Sequence, residues 1–153
     1  DENDLTVSAI LKLAKTLVYR RGMRALVIDP WNEVDHSRPT AMTETEYISQ
    51  SLTRIRRFSR TNNCHVFVVA HPFKMARTDG KAYPCPSPYD ISGSAHWRNK
   101  ADNCLAVWRD VSPENQTFEV EIHVQKIRKK HIGKLGMVKL KYEYSTGRYW
   151  EIA

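Results

Sequence analysis

Near the start of the chain, Ala9, Ile10, Leu13, Leu17 and Val18 recur at three- and four-residue spacing, which predicts an amphipathic helix over roughly residues 7 to 20, ending near Arg21-Gly22. The run Ala25-Leu26-Val27-Ile28 follows and ends in Asp29-Pro30, the pattern of a strand buried on both faces with an acid at its carboxyl end. The polar, Pro-containing stretch from Glu33 to Thr40 reads as a loop. Thr43, with Glu46 three residues on, resembles a capping box, and Ile48, Leu52, Ile55 and Phe58 form the apolar stripe of the helix it opens. His65 to Ala70 is a second buried run, closed by His71-Pro72. Strand, helix and strand of these lengths predict a right-handed βαβ unit.

The second half changes character. Residues 72 to 92 have no sustained periodicity and read as one long loop, of the kind that is either functional or disordered. Gly93 to Ala101 predicts a short helix and Asn103 to Trp108 a third strand. Phe118 to Val124 and Met137 to Tyr144 alternate, and Arg148 to Ile152 adds a last strand after the Ser145-Thr146-Gly147 turn. The expected fold class is α/β, a mainly parallel sheet flanked by helices and extended by a C-terminal antiparallel meander.

A length of 153 residues bounds this to one domain, and 41% hydrophobic residues suffice for a core. The longest apolar runs are far too short to span a bilayer. The acidic N-terminal DENDLTVSAILKLAK lacks the basic region of a signal peptide, so no secretory route is implied. Three cysteines, odd in number and without a CxxC pair, fit neither a disulfide framework nor a zinc site and imply reduced thiols in a cytoplasm-like compartment. A net charge of +7 favours a polyanionic partner, and composition leaves nucleic acid and an acidic membrane surface both open.

In open α/β sheets ligands bind beyond the carboxyl ends of the strands, so Asp29 and His71 are the first candidates. An acid at such a strand end suits the magnesium of a nucleotide hydrolase, and it suits a turn or helix cap equally. A strand-end histidine before proline either meets a ligand or hydrogen-bonds the next loop. Arg54, Arg56, Arg57 and Arg60 read as a solvated helix face, with nucleic-acid contact as the alternative. Lys126, Arg128, Lys129, Lys130 and Lys134, with His131 among them, are denser than an ordinary surface, and phosphate contact and solvation stand level there. Lys74, Arg77 and Lys81, with Gly80 between, are spaced to follow a phosphate backbone or simply to decorate a surface loop. Asp29, Glu33 and Asp35 form a weaker carboxylate group, interrupted by Pro30-Trp31. No GxSxG, HExxH, EF-hand or zinc pattern occurs.

Taken in order, ALVIDPWNE, HVFVVAHP, DISGSAHWRNKADNCLAVWRD and VQKIRKKHIGKLGMVKLKYEYSTGRYW resemble the second half of a RecA-like replicative helicase motor of the DnaB superfamily, which includes the phage primase-helicases and Twinkle. The resemblance covers nearly all of residues 22 to 151. It implies that Asp29 is the Walker B acid on the Mg2+ and its water shell, and that His71 senses the γ-phosphate. It further implies that Lys74, Arg77 and Lys81 line a channel for single-stranded DNA, with Gly93, Ser94 and Arg98 positioning that loop. By the same resemblance Arg128 is an arginine finger for the neighbouring subunit's ATP and Lys126 its companion, in a homo-oligomer that is hexameric in the parent protein. Either Tyr142 or Tyr144 is the adenine-stacking tyrosine; the spacing does not decide between them.

The chain departs from the family in one large respect. It contains no GxxxxGK followed by Ser or Thr, the P-loop that wraps phosphates with backbone amides, and no strand carrying a catalytic glutamate before Walker B. Beginning at Asp1 without methionine, it reads as the C-terminal part of a longer polypeptide, expected to be inert towards ATP by itself. The implied compartment is a cytoplasm (bacterial, phage or plasmid-encoded) or an organelle matrix. The alternatives are a RecA-like recombinase or clock-type ATPase, and a non-catalytic single-stranded DNA-binding module.

Overall fold

The first helix, α1, spans Val7–Arg21 in a computed structural model that describes residues 5–77, 82–91, 95–112 and 118–152. Thr6 caps it by accepting from the Ala9 N–H, and Gly22 closes it in the left-handed region at φ 66°. Strand β1, Ala25–Ile28, follows; helix α2, Glu44–Asn62, then crosses over to strand β2, His65–Val68, which pairs parallel with β1 from Ala25↔His65 to Ile28↔Val68. The capping box is present in both arms. Thr43 accepts from the Glu46 N–H, and the Glu46 carboxylate accepts from the Thr43 N–H at 2.9 Å, which holds that carboxyl below its ordinary range.

The described residues divide into two compact units. The first comprises Asp1–His71 and Ile91–Ala101, the second Pro72–Asp90 and Asp102–Ala153.

In the first unit the predicted stripe of α2 is the core: Ile48, Leu52, Ile55 and Phe58 are all buried, each burial contributing about 1.5–3 kcal/mol. Ile48, Leu52 and Ile55 pack with Val7, Ile28, Trp31, Val34 and Trp97, the last from helix α3, His96–Lys100, whereas Phe58 packs with Ala14 and Cys64 in a second, smaller cluster. Two expectations are corrected here. On α1 the inward face is Val7, Ile10, Leu11, Ala14 and Val18, while Leu13 and Leu17 point outward. The sequence holds two apolar stripes a third of a turn apart, and only one meets α2. The strands are also buried on one face only. Leu26, Ile28, Val66 and Val68 face the helices, whereas Val27, Phe67 and Val69 are exposed, Phe67 with its ring 4.3 Å from that of His65.

Helix α3 is short and is held by side chains rather than by its own length. The Lys100 ammonium donates to the Ser49 carbonyl at 2.8 Å and to Thr53 Oγ1 at 2.5 Å, and Trp97 is buried beside it. Trp97→Ala is therefore expected to cost about 3–5 kcal/mol in urea denaturation, as large aromatic deletions from cores do. A loss below about 1 kcal/mol, within ordinary surface effects, would show that α3 does not close the core.

The second unit is an antiparallel sheet in the order β3-β4-β5-β6, formed by Asn103–Trp108, Glu119–Ile127, Gly136–Glu143 and Arg148–Glu151. The predicted third strand thus pairs with the meander, register Cys104↔Lys126 to Trp108↔Glu121, with an irregularity between Cys104 and Leu105. The described part of the long loop is tied to this sheet. Trp108 Nε1 donates to the Tyr83 carbonyl at 2.9 Å and Gln125 Nε2 to the Pro86 carbonyl at 2.7 Å. A turn at Ser87–Asp90 is locked by the Asp90 carboxylate, which accepts from Ser87 N and Oγ.

Candidate functional site

Parallel pairing brings the carboxyl ends of β1 and β2 side by side. Val69 N–H donates to Ile28 O at 2.9 Å and Trp31 N–H returns to Val69 O at 2.7 Å, so the chain beyond each strand is stitched to the other. Asp29 leaves this seam exposed after the buried Ile28, and His71 leaves it exposed after Ala70. Both candidates therefore sit at the carboxyl-end edge of one parallel pair, the edge beyond which open α/β sheets bind ligands.

Two residues beyond Asp29 begins an aromatic cage that the sequence pattern does not single out. The Trp31 indole is buried, meets Trp97 edge-on at 5.2 Å between centroids, and lies 4.9 Å from the His36 ring. One ring nitrogen of His36 hydrogen-bonds the Trp31 carbonyl at 3.0 Å, and the Tyr47 hydroxyl lies 3.4 Å from both the other nitrogen and the Asp35 carbonyl. This fixes the turn that presents Asp29 and links it to α3. The available signal was two tryptophans in otherwise polar segments, Trp31 directly after the strand-end acid. Glu33 and Asp35 belong to this same turn, where Asp35 Oδ1 accepts from the Ser37 N–H.

Arg98 lies half-buried on α3 and is already engaged with neighbouring groups. Gly93, Ser94 and Lys81 lie outside the described residues. Of the arginines on α2, Arg54 donates to Ser8 Oγ of α1 at 3.2 Å, so the face is partly a helix-to-helix tie rather than purely solvated.

In the second unit, Lys74 is exposed, and the Arg77 guanidinium stacks on the Tyr83 ring at 5.0 Å. Arg128 leaves the end of β4 and pairs with Asp102, Nε to Oδ1 at 2.6 Å, while its backbone N–H donates to the Asp102 carbonyl at 2.8 Å. Both side chains are substantially exposed, which makes the ion pair worth about 0–1 kcal/mol. Lys126 sits half-buried opposite Cys104, and Lys129, Lys130, His131 and Lys134 are all exposed just beyond it.

Tyr142 and Tyr144 are neighbours of each other, with ring centroids 6.5 Å apart, and Tyr149 adds a third ring at 5.0 Å from Tyr142. Tyr142 is half-buried, whereas Tyr144 is 82% exposed. The nearby Glu143 accepts from Thr146 Oγ1 at 2.6 Å and from Trp150 Nε1, which holds its carboxyl below the ordinary range. Burial pushes the Cys85 thiol up, with the Glu121 charge adding to it against a Gln125 hydrogen bond.

No protein-family model matches the chain. Among solved structures, an ATPase domain superposes with a TM-score of 0.77 at 21% identity, covering 97% of this chain and 52% of that one. A DnaB-like replicative helicase, described with its interactions with primase, gives 0.73 at 20% identity over 97% and 36% of the two chains. At such identities the likeness is one of fold, the RecA-like α/β fold of these two neighbours. Sequence narrows the class further: the chain is 47% identical over 145 residues to the Twinkle homolog protein, chloroplastic/mitochondrial, of Arabidopsis thaliana. That similarity takes in 94% of this chain and 20% of the relative, so the chain spans about a fifth of the length of the curated relative it matches. The chain is thus similar along most of its length to about a fifth of a Twinkle homolog, and in fold to two ATPase structures.

Proposed function

We propose that this chain is the portion after the P-loop of an ATP-dependent replicative DNA helicase, which couples NTP hydrolysis at subunit interfaces to movement along single-stranded DNA. The observation that carries the reading is the 47% identity to a Twinkle homolog along 94% of the chain. Both compact units belong, in this reading, to one ATPase domain.

Asp29 is the acid on the magnesium side and His71 the group that meets the γ-phosphate. The donor set fits that metal: Mg2+ keeps most of its water and takes one or two carboxylates, and Asp29 is a single exposed carboxylate with no cluster of three ligating groups among the described residues. When bound, the ion would neutralise charge developing on the phosphate oxygens. Asp29 holds the negative charge at the strand end, and the Trp31 cage keeps its turn from shifting. Arg128 reaches the nucleotide of a neighbouring subunit in a ring, six-fold by analogy with the superfamily, with Lys126 as its companion. Exposure supports Tyr144 over Tyr142 as the ring left open to an adenine. The name of the Arabidopsis relative supports an organelle matrix as the compartment. No helix among the described residues is long and apolar enough to cross a membrane.

The test is ATP hydrolysis by the full-length polypeptide with and without single-stranded DNA, beside the 153-residue chain as a blank. DNA-stimulated turnover by the full-length protein and silence of the chain are expected. A full-length protein that binds single strands and hydrolyses nothing would replace the motor with a binding module.

Lys74, Arg77 and Lys81 are read as contacts to the DNA backbone. Replacing all three with Ala in the full-length protein is expected to flatten the dependence of log affinity on log salt by roughly 2, at about 0.7 per phosphate on single strands. An unchanged slope would take the loop off the DNA path.

A further inference from the structure

At the opposite end of β1 and β2 from Asp29 and His71, a cleft of about 490 Å³ is lined by Arg24, Ser59, Arg60, Asn63, Cys64 and His65. Arg24 and His65 lead into the two parallel strands, joined by the His65 N–H donating to the Arg24 carbonyl at 2.8 Å. Ser59 and Arg60 come from the end of α2, and the buried Cys64 is anchored in a small core with Ala14 and Phe58.

The polar groups around this cleft are of one kind. Two guanidiniums, an imidazole, a hydroxyl and an amide line it, and no carboxylate does. Among the described residues no ion pair engages Arg24 or Arg60. Helix ends account for part of the positive charge: Arg20 and Arg21 lie in the last turn of α1 and Arg60 in that of α2, where cations offset the helix dipole. Arg24, Arg57 and His65 lie outside those turns and have no such role. Exposed guanidiniums beside a hydroxyl and an amide supply the charge and the donors that a phosphate group takes. Arg57, exposed one turn back from Arg60 along α2, extends the same charge beyond the cleft, which suits a chain of phosphates better than a single enclosed ion.

We propose that this cleft is a second phosphate-binding site, one that takes the backbone of a polynucleotide on the side of the sheet away from the nucleotide edge. It does not depend on the helicase reading, because it uses none of the residues assigned to ATP or to the channel loop.

The test compares Arg24→Gln/Arg60→Gln with Lys12→Gln/Lys15→Gln, which removes the same charge from the exposed face of α1. Binding of a labelled single-stranded oligonucleotide is measured across salt, and amide shifts of Arg24 and of residues 59–65 are followed with oligonucleotide and with inorganic phosphate. The cleft variant is expected to flatten the salt slope by roughly 1.4, at about 0.7 per phosphate, while the control leaves it near the parent value. Saturable shifts of the cleft amides by oligonucleotide support the polynucleotide as the source. Saturable shifts by inorganic phosphate alone support the phosphate site with the free ion as its ligand. Cleft amides that respond to neither, or a control variant that weakens binding as much, would overturn the proposal.

Discussion

An Arg128→Ala subunit mixed into rings of the unaltered full-length protein is expected to depress ATP hydrolysis well beyond its own share, because on the proposed trans role each altered subunit disables a neighbour's site. Rings made wholly of the variant are expected to lose about 10³–10⁵ in turnover, the usual worth of an arginine that stabilises charge on a transferring phosphoryl group. The Arg128–Asp102 pair makes the experiment sharper. Asp102 accepts from Arg128 Nε within one chain, so an Asp102→Asn variant removes the charge of this partner while leaving the guanidinium in place. Its half-exposed ion pair is worth about 0–1 kcal/mol, and the variant should fold. If Asp102→Asn matches Arg128→Ala in turnover, the arginine acts through its partner within its own chain. If it leaves turnover largely intact while Arg128→Ala removes it, the guanidinium itself does the work. A loss strictly proportional to the fraction of Arg128→Ala subunits would place its action in cis.

Asp29→Ala is expected to lower magnesium-dependent turnover by roughly a hundred- to a thousandfold, the rate equivalent of several kcal/mol of charge stabilisation. The side chain is exposed at the strand end, so the fold should survive its loss. Trp31 supplies the companion measurement. Trp31→Phe keeps an aromatic body against Trp97 but shrinks the cage that begins two residues beyond Asp29. It should raise the magnesium requirement while leaving the urea midpoint within a modest shift. Retained turnover in Asp29→Ala would remove the Walker B assignment, whatever the fate of Trp31.

Much of the fold was readable because it depends on short-range chemistry. The Thr43–Glu46 capping box needs only three residues of separation, and the Ile48, Leu52, Ile55 and Phe58 stripe only one helical period. Both appear as expected. The orientation of α1 was not readable, since two equivalent apolar stripes compete and only the partner helix selects between them. Strand-end positions put Asp29 and His71 at one edge of the sheet, because parallel pairing follows from the crossover. The features around them were hidden for a different reason. Trp31 meets Trp97 only after the chain has folded back over a long separation, and Arg77 meets Tyr83 across residues without periodicity. Arg128 finds Asp102 through the β3–β4 register, which alternation predicts only as a strand and not as a pairing.

The one-sided coat of β1 and β2 makes Val27, Phe67 and Val69 informative positions in their own right. In the chain alone, a lysine or glutamate at any of them meets water and should be nearly neutral for folding. In the full-length protein the same change is harmless only if that side of the sheet stays wet. A saturation screen of the three positions, run in both contexts and scored by abundance, would therefore map where tolerance to charge disappears. That pattern would read out, residue by residue, how far the rest of the polypeptide closes over the sheet.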